Sequence, residues 1–159
     1  MSDQNYRLYS FVANGYLSPL QCGLQTAHAI AEMSIKYSDD TQADHAYRTW
    51  AGEDKTIIIC AAFNSKGVID CVSELNRTCS ALALPVSIFY EDIDSLNGAP
   101  TACAVVVPQK YWDVKPVYSV FEGDTIGWQF IDTKLNVTKF PLTHPEGQFI
   151  DHIKGYRLA

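Results

Sequence analysis

The sequence predicts an α/β fold, a mixed β-sheet flanked by helices, carrying a β-rich C-terminal extension. Three observations point there. Helix-like and strand-like periodicities alternate over residues 6–108 in the order β-α-α-β-α-β-β. The longest apolar run, Ile57-Ile58-Ile59-Cys60-Ala61-Ala62-Phe63, has the length of a buried strand and is far too short to cross a bilayer. After Pro108 the pattern changes to apolar-polar alternation. At 159 residues, the chain fits one domain able to bury a core without disulfide or metal staples.

The elements follow in order. Tyr6 to Val12 alternates and reads as a strand, closed by the turn Asn14-Gly15-Tyr16. Ser18-Pro19-Leu20-Gln21 opens a helix: Ser18 caps, Pro19 takes the first helical position and Gln21 reaches back to close a capping box. That helix runs to about Tyr37, with an apolar stripe of Leu20, Leu24, Ala27 and Ala31. Beside it lie Gln21, Gln25, His28 and Glu32, whose spacings of four, three and four put them on one face. After Ser38-Asp39-Asp40 a short helix is expected from Thr41 to Trp50, ended by Gly52-Glu53-Asp54. Lys55 to Cys60 reads as a fully buried strand. Asn64 or Ser65 caps a third helix, whose Val68, Val72, Leu75, Cys79 and Leu82 keep helical spacing until Pro85 stops it. Val86 to Tyr90 is a strand, Glu91 to Pro100 a polar loop, and Thr101 to Val107 a buried strand closed by Pro108. In the extension, Val117–Phe121 and Gly127–Ile131 alternate about a turn at Glu122-Gly123-Asp124, and Leu135 to Leu142 adds another strand. The end, from Thr143-His144-Pro145-Glu146-Gly147-Gln148 onward, is expected to be a loop followed by a short helix or strand.

Composition excludes several functions. The net charge is −6 and no basic run occurs, so the chain does not live by non-specific nucleic-acid contact. A small anionic ligand in a local pocket stays compatible with that charge. The five cysteines (22, 60, 71, 79 and 103) sit in apolar surroundings without a Cys-x-x-Cys pair, and read as reduced thiols in a cytoplasmic, reducing compartment. No signal pattern opens the chain and no membrane partner is expected. His144 and His152 lack other ligands at zinc spacing, and there is no glycine-rich phosphate loop or Gly-x-Ser-x-Gly elbow, so neither metal nor cofactor is implied.

The segment Leu17-Ser18-Pro19-Leu20-Gln21-Cys22-Gly23-Leu24-Gln25-Thr26-Ala27-His28-Ala29 resembles the signature of the archaeal/eukaryotic-type peptidyl-tRNA hydrolases, a turn-to-helix element ending in Gln-x-x-His-Ala. Later features keep the family's order over about 100 residues: Trp50, the apolar strand, a helix, Leu84-Pro85-Val86-Ser87-Ile88, the acidic Glu91-Asp92, and the strand Thr101 to Pro108. The resemblance implies the hydrolase type 2-like fold and a cleft where enzymes of the family cleave the ester between a peptide and the terminal ribose of tRNA. Two departures bear on activity. Pro19 and Gln21 stand where the family has lysines, and Ile93-Asp94-Ser95-Leu96 follows Asp92 where the family has a Gly and a Thr.

The resemblance leaves His28, Asp92 and Thr101 as candidate catalytic residues, and Gln21, Gln25, His28, Arg48 and Asp92 as candidate ligand contacts. His28 also has a structural reading, bonded to a backbone carbonyl. Gln21 and Gln25 suit a nucleobase or ribose because an amide both donates and accepts, yet they equally suit a solvated face. Asp92 and Asp94 also read as turn formers, and Arg48 as a surface ion pair with Asp44 beside His45. Tyr111, Trp112, Tyr118 and Trp128 read as packing for the extension. Three functions fit: a non-catalytic module that binds or sequesters a nucleotide-like small molecule, as implied by likeness to phage-type relatives that interfere with a host pathway; a divergent hydrolase taking the tRNA acceptor end, its phosphates met by Lys110, Lys115 or Arg48; or a protein-interaction scaffold. Pairing into a homodimer by a sheet edge or helix is open to a domain of this size.

Overall fold

In the computed structural model, residues 5–38, 41–94, 96–121 and 125–159 are described, with the backbone alone at 117–121 and 125–126. Four strands make the main sheet: β1 (Tyr6–Val12), β2 (Ile57–Ala61), β3 (Val86–Tyr90) and β4 (Pro100–Pro108), in the spatial order β2-β1-β4-β3. β1 pairs in parallel with β2, and β4 runs antiparallel to both β1 and β3. The chain therefore leaves β1, β2 and β3 at one end of the sheet and enters β4 there. That end gathers three connections, after β1, after β2 and between β3 and β4, a geometry that suits ligand sites in α/β sheets.

Two helices cover one face. α1 (Pro19–Lys36) and α2 (Gln42–Thr49) pack over Leu8, Val12, Ala102, Ala104 and Val106 through Cys22, Ala29, Met33, Ala46 and Trp50. Both begin with a full capping box, Ser18 with Gln21 and Thr41 with Asp44. Asp44 is thus buried as a cap, where the sequence suggested a surface partner for Arg48. A single π-helical turn over Trp50–Asp54 ends α2, where Trp50 donates to the Thr56 carbonyl. On the other face α3 (Ser65–Leu82), capped by Asn64, and α5 (Pro145–Lys154), capped by the His144 side chain, enclose Phe11, Cys71, Leu75, Cys103, Val105 and Phe149.

Between them a one-turn helix α4 (Gln109–Trp112) leads into a three-stranded antiparallel sheet of β5 (Val114–Phe121), β6 (Thr125–Asp132) and β7 (Val137–Pro141). Trp128 and Phe130 of β6 join Tyr111 and Phe149 in the same core as α3, so the extension is fused to the α/β layers. Gly147 makes that possible, because a Cβ there would come within 2.6 Å of the Trp128 ring and 2.9 Å of Phe140 Cβ. The turn expected at Glu122-Gly123-Asp124 and the side chain of Tyr118 lie outside the described residues. No described helix is long and apolar enough to cross a membrane.

Two expectations change. Leu20, Leu24, Ala27 and Ala31 face solvent, and α1 packs instead through Cys22, Gln25, Thr26, Ala29 and Met33. Small side chains and a buried Ser10–Thr26 hydroxyl pair at 2.8 Å let the helix lie close to the sheet, which larger leucines would prevent. The run 57–61 is not fully buried: β2 has one neighbouring strand, and Ile57 is exposed. Both sheet edges are tended. Residues Arg157 to Ala159 bond along the outer side of β2. At β3, Lys36 Nζ donates to the Val86 carbonyl (2.9 Å) and Val86 N–H donates to the Tyr37 hydroxyl (2.9 Å).

Candidate functional site

At the end of the sheet where β1, β2 and β3 finish, Gln25 is the hub. Its side chain is buried in the contact of α1 with β4, and its Oε1 accepts from the Thr101 hydroxyl at 3.0 Å. His28, one turn on, brings Nδ1 to 3.3 Å from the same oxygen. A carboxamide oxygen can only accept, so His28 Nδ1 carries the proton in this contact, and in the neutral ring Nε2 presents the lone pair. The His28 ring lies against Phe89 of β3, with centroids 4.5 Å apart at 48°. Phe89 pairs with Ala102, the residue after Thr101, which ties the aromatic to the polar group through sheet register.

Loops frame this cluster. Gly15 approaches Phe63 so closely that a Cβ on it would meet the Phe63 carbonyl at 2.6 Å, and Gly15 N–H donates to that carbonyl at 2.7 Å. Phe63 N–H in turn donates to Asn14 Oδ1 at 2.9 Å, so the loops after β1 and β2 are laced together. The loop after β3 holds Leu96, Asn97 and Gly98 at φ of 50°, 52° and 71°, a left-handed run that costs two non-glycine residues about 1–2 kcal/mol each. It exposes Ile93 and Leu96, while Tyr16, Phe63 and Tyr90 are exposed on the neighbouring loops and strand end. These exposed apolar side chains lie at the same end of the sheet as the polar cluster.

The structure brings three candidates together: Gln25, His28 and Thr101. Thr101 is 0% exposed and donates its hydroxyl to Gln25, so it orients the amide and is out of reach of a substrate. Gln21 is exposed one turn before Gln25, with Oε1 held by the Ser18 backbone N–H at 2.8 Å in the capping box. Asp92 is exposed in the β3–β4 loop, where its backbone carbonyl accepts from Gly98 N–H. Its carboxylate makes no bond to the cluster among the described residues.

Arg48 is not part of this group. Its helix neighbours His45 and Ala46 line a cavity of about 260 Å³ with Tyr6, Pro108 and Lys110, at the far end of β4 from Thr101. Seven residues of extended chain separate those ends, roughly 23 Å. Lys110 belongs to that distant cavity too. None of the described side chains bonded to or stacked on the cluster is a lysine or arginine. Among the described residues there is also no group of three or more His, Cys, Asp and Glu side chains able to hold a metal ion.

Phe89 escaped the sequence reading. In the run Val86-Ser87-Ile88-Phe89-Tyr90 it looked like one more apolar strand residue, and only its register beside Ala102 shows that it faces His28. No protein-family model matches the chain, and no curated protein matches its sequence.

Proposed function

We propose that the chain is a non-catalytic binding module that holds, and so sequesters, a nucleotide-like small molecule through its flat heterocycle. One observation carries the reading. The Gln25 carbonyl oxygen takes both Thr101 and His28, which leaves the Gln25 amide nitrogen as a donor and His28 Nε2 as an acceptor on the same helix, beside the Phe89 ring. An adjacent donor and acceptor complement the edge of a purine, a pyrimidine or another lactam-bearing ring. The exposed apolar side chains at that end of the sheet, Phe63 and Tyr90 among them, suit the face of such a ring. That no described lysine or arginine is seen bonded to the Gln25–His28–Thr101 cluster fits recognition by the base. The net charge of −6 and the replacement of the family lysines by Pro19 and Gln21 agree with a small ligand in place of a long RNA.

A divergent peptidyl-tRNA hydrolase is the second reading, favoured by His28 itself. An exposed imidazole whose tautomer is set at Nδ1 has a free Nε2 able to orient or deprotonate water.

One pair of measurements separates them. A calorimetric titration of nucleosides and nucleotides is expected to show saturable binding that is lost in His28→Ala and kept in Gln21→Ala. Peptide release from N-acetyl-aminoacyl-tRNA is expected to stay at background. Release that is well above background and collapses in His28→Ala and Asp92→Ala would replace the binding reading with the enzyme.

A further inference from the structure

β3 is an edge strand of the main sheet, and its pairing with β4 fixes where its remaining backbone groups point. Val106 N–H donates to the Pro85 carbonyl at 3.2 Å, and Glu91 N–H donates to the Ala99 carbonyl at 3.0 Å. Along an antiparallel strand, residues turn their N–H and C=O toward the partner and away from it by turns. The extra residue at the irregularity between Phe89 and Tyr90 falls on β4, so β3 keeps its alternation. Pro85, Ser87, Phe89 and Glu91 therefore face β4, while Val86, Ile88 and Tyr90 face outward. Val86 has the expected phase: its outward N–H meets the Tyr37 hydroxyl and its carbonyl meets Lys36 Nζ, both at 2.9 Å. Those two side chains stand where a further strand would bring its own groups. The rungs at Ile88 and Tyr90 are open, since no hydrogen bond reaches their outward N–H and C=O among the described residues.

The open stretch begins in a channel between helices. A cavity of about 230 Å³ beside Ile88 is walled by Glu32 and Lys36 of α1 and by Val72 and Asn76 of α3. Buried Val72 and half-buried Ile88 give it an apolar floor, and exposed Glu32 and Asn76 stand at its mouth. Glu32 forms no ion pair among the described residues, and Lys36, one turn on, has its Nζ held by the Val86 carbonyl. Glu91, Asp92 and Asp94 continue the negative charge beyond Tyr90. A side chain with an apolar stem and a cationic head matches this lining. The stem lies along Val72 and Ile88, and the head meets the Glu32 carboxylate and Asn76 Oδ1.

We propose that the outer edge of β3 is a docking site for an extended, basic segment of another protein. The segment adds a strand beside Ile88 and Tyr90 and places a lysine or arginine in the cavity between α1 and α3. Main-chain hydrogen bonds hold it whatever its sequence, and the cavity selects the side chain. Lys36 and Tyr37 block the ladder at Val86, which leaves room for about four residues of pairing. A second copy of this chain is the competing occupant, and charge disfavours it. Pairing β3 with itself would crowd Glu32, Glu91, Asp92 and Asp94 of both copies in a protein of net charge −6. The site uses neither the Gln25 amide nor His28 Nε2, so it stands whether or not a heterocycle binds there.

The test is amide hydrogen exchange read by NMR on the full chain, with a short peptide alternating valine and arginine, acetylated and amidated at its ends. Saturable binding is expected. Exchange at the Ile88 and Tyr90 amides should slow at least about tenfold, while Val86, already bonded to Tyr37, stays as it was. The same peptide with its backbone N-methylated, and one alternating valine and glutamate, should not bind. Glu32→Lys should weaken the arginine peptide at least about tenfold and admit the glutamate peptide. Glu32 is exposed and outside both the core and the caps, so this variant should keep the wild-type thermal midpoint. The proposal is overturned if the arginine peptide at millimolar concentration leaves Ile88 and Tyr90 exchanging freely. It is equally overturned if the N-methylated or glutamate peptide binds as well, or if Glu32→Lys takes the arginine peptide at wild-type strength. Protection of Ile88 and Tyr90 without peptide, rising with protein concentration as a dimer sediments, would assign the edge to a second copy and overturn it too.

Discussion

The Thr101 hydroxyl and the Gln25 side-chain oxygen lie 3.0 Å apart, joining β4 to α1 across 76 residues of sequence. Both side chains are buried, so removal of one partner strands the other without water. Gln25→Leu is expected to destabilise the fold by about 1–3 kcal/mol because the Thr101 hydroxyl keeps its desolvation penalty and loses its acceptor. Thr101→Val is expected to cost about 1 kcal/mol, since His28 still serves the Gln25 oxygen. The double variant should fall short of the sum by about 1 kcal/mol. Urea midpoints of the four proteins decide the point, and strict additivity would mean that the bond does not couple the two elements.

The architecture through Pro108 was legible because each element carried local punctuation. Ser18-Pro19 and Asn64 mark helix starts, and Pro85 and Pro108 mark ends, and all act within a few residues of their own position. The side that α1 buries was not legible. Its sequence offers two stripes, and the leucine stripe is the more hydrophobic, yet the stripe of small residues packs because only it allows close approach to the sheet. Periodicity finds faces, and sterics choose between them. The candidate site divides in the same way. Gln25 and His28 share a helix turn and could be paired from spacing, whereas Phe89 and Thr101 arrive through the pairing of β3 with β4. Arg48 could not be grouped with or apart from them in advance, because a helix position says nothing about which end of the sheet the helix covers.

Gly147 tests the docking of the extension. It lies in the first turn of α5, under Trp128 and Phe140, where an added methyl would overlap the indole ring. Gly147→Ala is expected to destabilise the protein by about 1–3 kcal/mol despite the better helix propensity of alanine. The loss should appear as a lower thermal midpoint, together with a shift in tryptophan fluorescence as Trp128 moves. An unchanged midpoint would mean that α5 and β6 can separate at little cost.

Ala83 offers a stabilising change. It ends α3 at φ 52° and ψ 43°, the left-handed conformation, while its N–H donates to the Cys79 carbonyl. A Cβ disfavours that conformation by about 1–2 kcal/mol, and glycine adopts it freely at the cost of a more flexible unfolded chain. Ala83→Gly is expected to raise stability by about 0.5–1 kcal/mol, read as a higher urea midpoint with an unchanged slope. A fall would mean that the alanine methyl packs well enough to outweigh the conformational strain.

Cys71 makes stability depend on pH. Its folded-state thiol is lowered from the ordinary value of 9.0 to about 6, so between those values the folded chain holds fewer protons there than the unfolded chain. Unfolding then takes up a proton, and stability rises with pH. The contribution is complete above pH about 9 and is lost as pH falls through about 6. The groups facing this sulfur are Cys103, His152 and Tyr156, with the charge of Glu74 acting on His152 and that of Asp70 on Tyr156. Cys60, Cys79 and Cys103 are shifted upward and act with the opposite sign, but only once the pH exceeds their ordinary thiol value. Urea midpoints compared across the window from pH about 6 to about 9 should therefore climb in the wild type and flatten in Cys71→Ser. The same flattening is expected in His152→Gln, which keeps the sulfur and removes one of its donors. A parallel climb in all three proteins would assign the pH dependence to groups elsewhere and leave Cys71 as an ordinary buried thiol.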